Sequence, residues 1–263
     1  LLLVLTLELP TQIAAEEDEQ CDAARNAGLT LAPAAGGQLR PHCKAVTLIR
    51  HAQGSHNAAE KTTDLQPPDQ VLLEKHSGRK YWDAQLTDEG YSQALALRSK
   101  LAAAALRVDA VVSSTLRRAL QTANIAFGEG TELPPLSLPV AGPAFIATEL
   151  CRERVADFTC DGRVERSLLA SDFPGFDFSE VAHESDTMWA EKETADGELR
   201  CRERAVRFAE WLMNRRERHV AVISHGHFLQ HLMTELQPQN AESQIDRLGN
   251  AEMREMELCF ADP

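Results

Sequence analysis

The sequence predicts an α/β fold: a three-layer sandwich with a mostly parallel central sheet and helices on both faces. Short apolar runs rich in β-branched residues, KAVTLI (44–49), VDAVVSS (108–114) and HVAVIS (219–224), have the length and composition of buried strands. Longer segments with apolar residues at helical spacing follow them, and strands alternating with helices imply parallel strands joined by crossovers.

Taken in order, residues 1–43 read as a flexible leader. LLLVLTLEL (1–9) is too short to span a bilayer and suits a remnant of a targeting segment, which leaves secretion or an organelle open beside the slightly favoured cytoplasm. AAEEDEQ and PAAGGQLRP continue as solvated chain, and the folded domain is expected over 44–263. After the first strand, the polar stretch through DLQPPDQ reads as a long loop with one short helix at QVLLEKH (70–76). LTDEGYSQALALRSKLAAAAL (86–106) is helical, with Thr87 as N-cap and Asp88 and Glu89 favoured by the helix dipole. VDAVVSS then leads into the helix LRRALQTANIAF (116–127). Residues 128–199 carry prolines and scattered charge and read as covering loops. RCRERAVRFAEWLMNRRER and HFLQHLMTEL are helices flanking HVAVIS, and EMREMELCF (252–260) suits an edge strand.

The 263 residues, 43% hydrophobic and 25% charged, suit a globular protein with a substantial core. The net charge of -13 repels nucleic acid and anionic membranes, so an anionic ligand needs a local basic pocket. The six cysteines form no CxxC pair in a chain too long to need a disulfide framework, and they are expected to be thiols.

Three strand ends share a feature: VTLIRHAQGSHN, AVVSSTLRRALQTA and VAVISHGHF each pass from a buried run into a polar turn bearing Arg or His. In parallel strands those turns share one sheet edge, which gathers Arg50, His51, Asn57, Arg117 or Arg118, and His225. Guanidinium forks, helix N-terminal amides and a second imidazole suit a tetrahedral dianion such as phosphate. Among them His51 is a nucleophile candidate, because neighbouring cations keep an imidazole neutral.

These segments resemble the histidine phosphatase superfamily, the phosphoglycerate mutase-like proteins of branch 1. RHAQGSHN matches the Arg-His-Gly signature, DAQLTDEGYSQA the segment after it, SSTLRRALQTA the second-arginine motif and ISHGHF the second histidine, in order over roughly residues 44–236. The resemblance implies a phosphorylated His51, with Arg50, Arg118 and His225 forming the phosphate pocket and Asn57, Gly54, Ser55 and Gly226 contacting substrate. It implies a carboxylic acid in TELCRERVADFTCDGR that protonates the leaving group: Glu149 or Glu153, with Glu153 favoured. It also implies hydrolysis of phosphate monoesters with no metal or organic cofactor. The partner is then a small phosphorylated substrate or a phosphoprotein. A mutase sharing the intermediate, and a binding protein without turnover, are the alternatives. Ala52 and Gly54 depart from the usual RHGES or RHGET, with a serine one place later at Ser55, so one hydroxyl contact to phosphate is either missing or supplied differently.

Blander readings account for other motifs. His227 and His231 lie one helical turn apart but lack the glutamate of HExxH, which favours a structural role. CDGRVERS has the spacing of a cysteine-dependent phosphatase, yet Asp161 and Glu165 would stand inside the anion cradle. The Arg-rich helix interleaves glutamates and reads as a salt-bridged face.

Overall fold

The computed structural model describes residues 28–62, 80–128, 142–155, 158–190, 197–237 and 245–260. In chain order the elements are β1 (Leu29–Pro33), β2 (Cys43–Arg50), α1 (Ser55–Thr62), α2 (Asp88–Ala103), β3 (Ala110–Ser114), α3 (Arg117–Phe127), β4 (Ala144–Thr148), α4 (Arg166–Asp172), α5 (Thr187–Ala190), α6 (Gly197–Met213), β5 (His219–Ser224), α7 (Gly226–Glu235) and β6 (Met253–Phe260). The sheet runs β1-β6-β2-β5-β3-β4. Strands β2, β5, β3 and β4 are parallel neighbours, while β6 pairs antiparallel with both β2 and β1.

Alternating strand residues divide the core in two. Val46, Leu48, Val112, Val220 and Val222 face the layer of α6 and α7, with Phe208, Leu212, Phe228 and Leu229 packed against them. Ile49, Val111, Ala221 and Ile223 face the other layer, among Leu97 and Leu101 of α2 and Leu120 and Ala123 of α3. A strand buried on both faces is apolar at most positions, which is why these strands read as near-continuous apolar runs. The three-layer expectation therefore holds.

Helix α2 starts as expected: the Thr87 hydroxyl accepts the Gly90 N–H at 3.0 Å. Helices α3 and α7 have no local side-chain cap at Leu116 or His225. Carboxylates from distant segments serve instead. Asp83 Oδ1 accepts the Arg117 N–H at 2.8 Å, and Glu153 accepts the N–H groups of His227 and Phe228.

Five expectations are corrected. The leader is not flexible throughout, because Leu29–Pro33 pairs with Met256–Phe260 and buries Leu29 and Leu31. In consequence β6 is an inner strand and β1 the edge. Residues 55–62 form α1 where a loop was expected, and residues 144–148 form the sheet-edge strand β4 within the irregular region. Last, Cys43 and Cys259 form a disulfide, because antiparallel register sets β2 and β6 residues directly opposite at this pair. Cys151, Cys160 and Cys201 are buried thiols, as expected. The helix expected at 70–76 and most of the leader, including Cys21, lie outside the described residues. Among the described residues, no helix is long and apolar enough to cross a membrane.

Candidate active site

The parallel strands deliver their carboxyl ends to one edge. Arg50 ends β2 opposite Ser224, the last residue of β5, and the His51 N–H extends this ladder by donating to the Ser224 carbonyl at 2.9 Å. His51 and His225 thus follow neighbouring strands, with ring centroids 5.0 Å apart.

His51 is 2% exposed, and its Nδ1 lies 2.7 Å from the Ala52 carbonyl. A carbonyl only accepts, so the proton is on Nδ1 and Nε2 carries the lone pair. Arg118 Nε donates to that Nε2 at 3.2 Å. Burial, and then the positive fields of Arg118, His56 and Arg50, push the His51 pKa well below its ordinary value. The ring is held neutral at physiological pH.

Arg118 is 1% exposed and held on three sides: Nε at His51, Nη1 donating to the Cys160 carbonyl at 2.6 Å, and Nη2 to Asp161 Oδ1 at 2.9 Å. Of its five N–H donors these bonds commit three, one each on Nε, Nη1 and Nη2. The adjacent Arg117 turns away, with Nη2 2.6 Å from Asp172 and Nε 3.6 Å from Asp83. Asp161 is fixed in turn by Arg152, whose Nη2 donates to the Asp161 carbonyl at 2.5 Å while the same guanidinium grips both Asp186 oxygens at 2.8 Å.

The His225 ring is fully buried. Its Nε2 bonds Ser114 Oγ at 2.7 Å and its Nδ1 has no hydrogen-bond partner. Burial, followed by Arg118 and His51, holds its pKa well below the ordinary range. Arg50 Nη1 donates to the Leu248 carbonyl at 2.8 Å.

Of the two glutamates, Glu149 Oε1 is taken by Arg163 Nε at 2.6 Å and Arg152 Nη1 at 3.1 Å. Glu153 lies 8% exposed at the N-terminus of α7, directly after His225. Burial raises its pKa, but His227, the Arg154 N–H, Arg247 and Arg118 outweigh burial, and it ends below the usual carboxylate value. Asn57 Oδ1 accepts the Gly54 N–H, and Asn250 Nδ2 bridges Asn57 Oδ1 and the His51 carbonyl. Ser55 opens α1 with its N–H on the Gln85 carbonyl. The Arg247 guanidinium packs against Gly226, where a Cβ would displace it.

Sequence reasoning missed Asp161, Arg247, Asp83 and His56. Asp161 stands in the CDGRVERS segment set aside with its cysteine, and its bond to Arg118 crosses 43 residues. Arg247 follows the last motif. His56 was in plain view in RHAQGSHN, where no spacing rule picks it out. In the dismissed zinc motif, His231 Nε2 lies 3.0 Å from Glu198. In the dismissed cysteine loop, Arg166 bonds the Val181 carbonyl at 3.1 Å.

A buried neutral imidazole flanked by fixed guanidiniums and a second imidazole is the arrangement that the four motifs imply. Residues 46–137 match the histidine phosphatase superfamily (branch 1). The chain is 34% identical over 212 residues to an Arabidopsis thaliana phosphoglycerate mutase-like protein, covering 73% of this chain and 74% of that one. The chain belongs to this superfamily. Phosphoglycerate mutase-like protein 1 of Arabidopsis thaliana is 33% identical over 240 residues, covering 81% of this chain and 80% of its own length. A solved structure described as mycobacterial hydrolase 1 is 22% identical, covers 82% of this chain and 92% of its own, and superposes with a TM-score of 0.46.

Proposed function

We propose that this member of the histidine phosphatase superfamily is a metal-independent phosphatase that hydrolyses phosphate monoesters through phosphohistidine at His51. The observation that carries the reading is the His51 tautomer: Nδ1–H is spent on Ala52, so the lone pair of Nε2 stands beside Arg118.

In the first step Nε2 attacks phosphorus, the bond from phosphorus to the ester oxygen breaks, and that oxygen takes the proton of Glu153. Arg50 and Arg118 neutralise charge on the equatorial oxygens and His225 hydrogen-bonds to them, and such fixed donors supply much of the rate in phosphoryl transfer. In the second step water attacks the phosphorus of phosphohistidine, the Glu153 carboxylate takes the water proton, and phosphate leaves His51 neutral again. Asn57, Gly54, Ser55 and Gly226 complete the substrate-facing turns. Residues 58–82 and 128–199 would choose the remainder of a small phosphorylated substrate or phosphoprotein.

The names of the Arabidopsis relatives favour a second reading, a mutase that returns the phosphoryl group to bound substrate. Release of inorganic phosphate from a panel of esters without added metal tests both. Release by the parent, with a loss of at least a thousandfold in His51→Ala, supports the phosphatase. Isomerisation of phosphoglycerate without release supports the mutase, and equal release by parent and variant removes His51 from the chemistry.

A further inference from the structure

In this chain Gly54 stands where related signatures carry a serine or threonine hydroxyl, and His56 stands two residues later. His56 is 6% exposed, and its Nδ1 is buried without a hydrogen-bond partner. Buried polar atoms are nearly always satisfied by protein, water or ligand, so this nitrogen calls for an explanation.

Its position supplies one. The His56 ring centroid is 5.9 Å from that of His51. A Cβ at position 54 would come 2.8 Å from His56 Nδ1, 2.9 Å from its Cε1 and 3.5 Å from Cδ of Arg118. The imidazole nitrogen and the arginine that bonds the nucleophile therefore flank one point, and that point is where a side chain at 54 would begin. Glycine at 54 and histidine at 56 are linked by space: the ring fills the room the hydroxyl side chain would have taken.

We propose that His56 is a further substrate-binding residue, a third imidazole whose Nδ1–H holds an oxygen of the bound phosphoryl group in place of the hydroxyl absent at Gly54. The inference rests on the reading of this site as a phosphate site. A neutral imidazole has one N–H, which a phosphate oxygen draws to Nδ1 because an anion only accepts. Besides burial, the cations Arg118, Arg50 and Arg247 act on the ring and keep it neutral before an anion arrives. A dianion reverses that field, so the bond forms where a cationic ring would have been repelled. The rival account makes His56 a packing residue for α1, and it predicts no dependence of anion binding on the ring nitrogen.

The test is calorimetric titration of the purified chain with inorganic phosphate, which needs no turnover. His56→Ala is expected to weaken binding about ten-fold or more. His56→Asn, whose amide N–H falls near the place of Nδ1, should keep most of the affinity, and His56→Phe, which keeps the ring's bulk without its nitrogen, should lose it and serves as the readout if the alanine variant melts early. Gly54→Ser alone should weaken binding, because its Cβ meets the imidazole. The double variant Gly54→Ser with His56→Ala should regain part of what His56→Ala lost. Binding by His56→Ala, or by His56→Phe where the alanine variant melts early, within two-fold of the parent overturns the proposal and leaves the phosphate site standing. Absence of binding by the parent itself overturns the phosphate site, and this inference with it.

Discussion

At the scale of single residues, Glu153 carries the sharpest prediction. Its carboxylate caps α7 and sits below its usual pKa, while His51 also lies below its ordinary value. On the proposed mechanism the free enzyme needs neutral His51 and protonated Glu153, and both pKa values lie below the ordinary ones. The profile of kcat/KM against pH is therefore expected to peak below pH 7 and to fall as pH rises, not to plateau at neutrality. Glu153→Gln keeps the shape of the cap but cannot give up a proton. It should lower kcat about 100-fold or more for alkyl phosphates and far less for p-nitrophenyl phosphate, whose leaving group needs no proton. Equal losses on both esters would remove Glu153 from the proton transfer. Arg50, His51, Arg118 and His225 were legible because each follows an apolar run, and sheet topology converts strand ends into neighbours. Asp161 was not legible, since its only sequence signal pointed to a cysteine chemistry that the fold does not build. The aspartate instead bonds Arg118 from a segment 43 residues away.

At the scale of elements, helix ends do two jobs. Thr87 caps α2 and its hydroxyl also donates to Gln53 Oε1 at 2.8 Å, while the Thr87 N–H donates to the Gln53 carbonyl. The helix start thereby pins the turn that follows His51. Thr87→Val should cost about 1 kcal/mol of stability, read as a lower urea midpoint at unchanged slope. The covering segment is pinned by ions. Arg152 grips Asp186, which also accepts the N–H groups of Arg163 and Trp189, and Arg163 reaches the carbonyls of His183, Glu184 and Ser185. Burial raises the Asp186 pKa, but Arg152 and the two N–H donors leave it below the usual value. A carboxyl with a depressed folded pKa stabilises above its unfolded pKa, about 4, and that contribution is lost as pH falls through the folded value. Asp186→Asn should therefore cost about 3 kcal/mol or more at pH 7 and flatten the fall in stability below pH 4, measured by urea unfolding across pH. An acid limb as steep as the parent's would assign it to other carboxylates.

At the scale of the whole molecule, the disulfide ties β2 to β6, strands from opposite ends of the chain order. Cys43 and Cys259 close a loop with a sequence separation of 216, and the same strands carry β1 at the sheet edge. Cross-links that close long loops restrict the unfolded chain most, so Cys43→Ser should cost about 2–5 kcal/mol, a fall in Tm on the order of 10 °C. Because the bridge lies at the amino end of β2 and the site at its carboxyl end, phosphate release at 25 °C should change little. A reductant that leaves the parent's Tm unmoved would argue against the bridge in solution.

The sequence by itself determined the α/β layering, the parallel strands β2, β3 and β5, the start of α2 and the strand ends that bear arginine and histidine. These follow from local burial patterns and caps, which neighbouring residues carry. The tertiary structure alone decided the place of β1 and β6 in the sheet, the Cys43–Cys259 bridge, the separation of Glu153 from Glu149 and the buried chain from Arg118 through Asp161 to Arg152. Those features join residues tens to hundreds of positions apart. Their energy lies in antiparallel register and in paired charges withdrawn from water, and neither leaves a periodic trace along the chain.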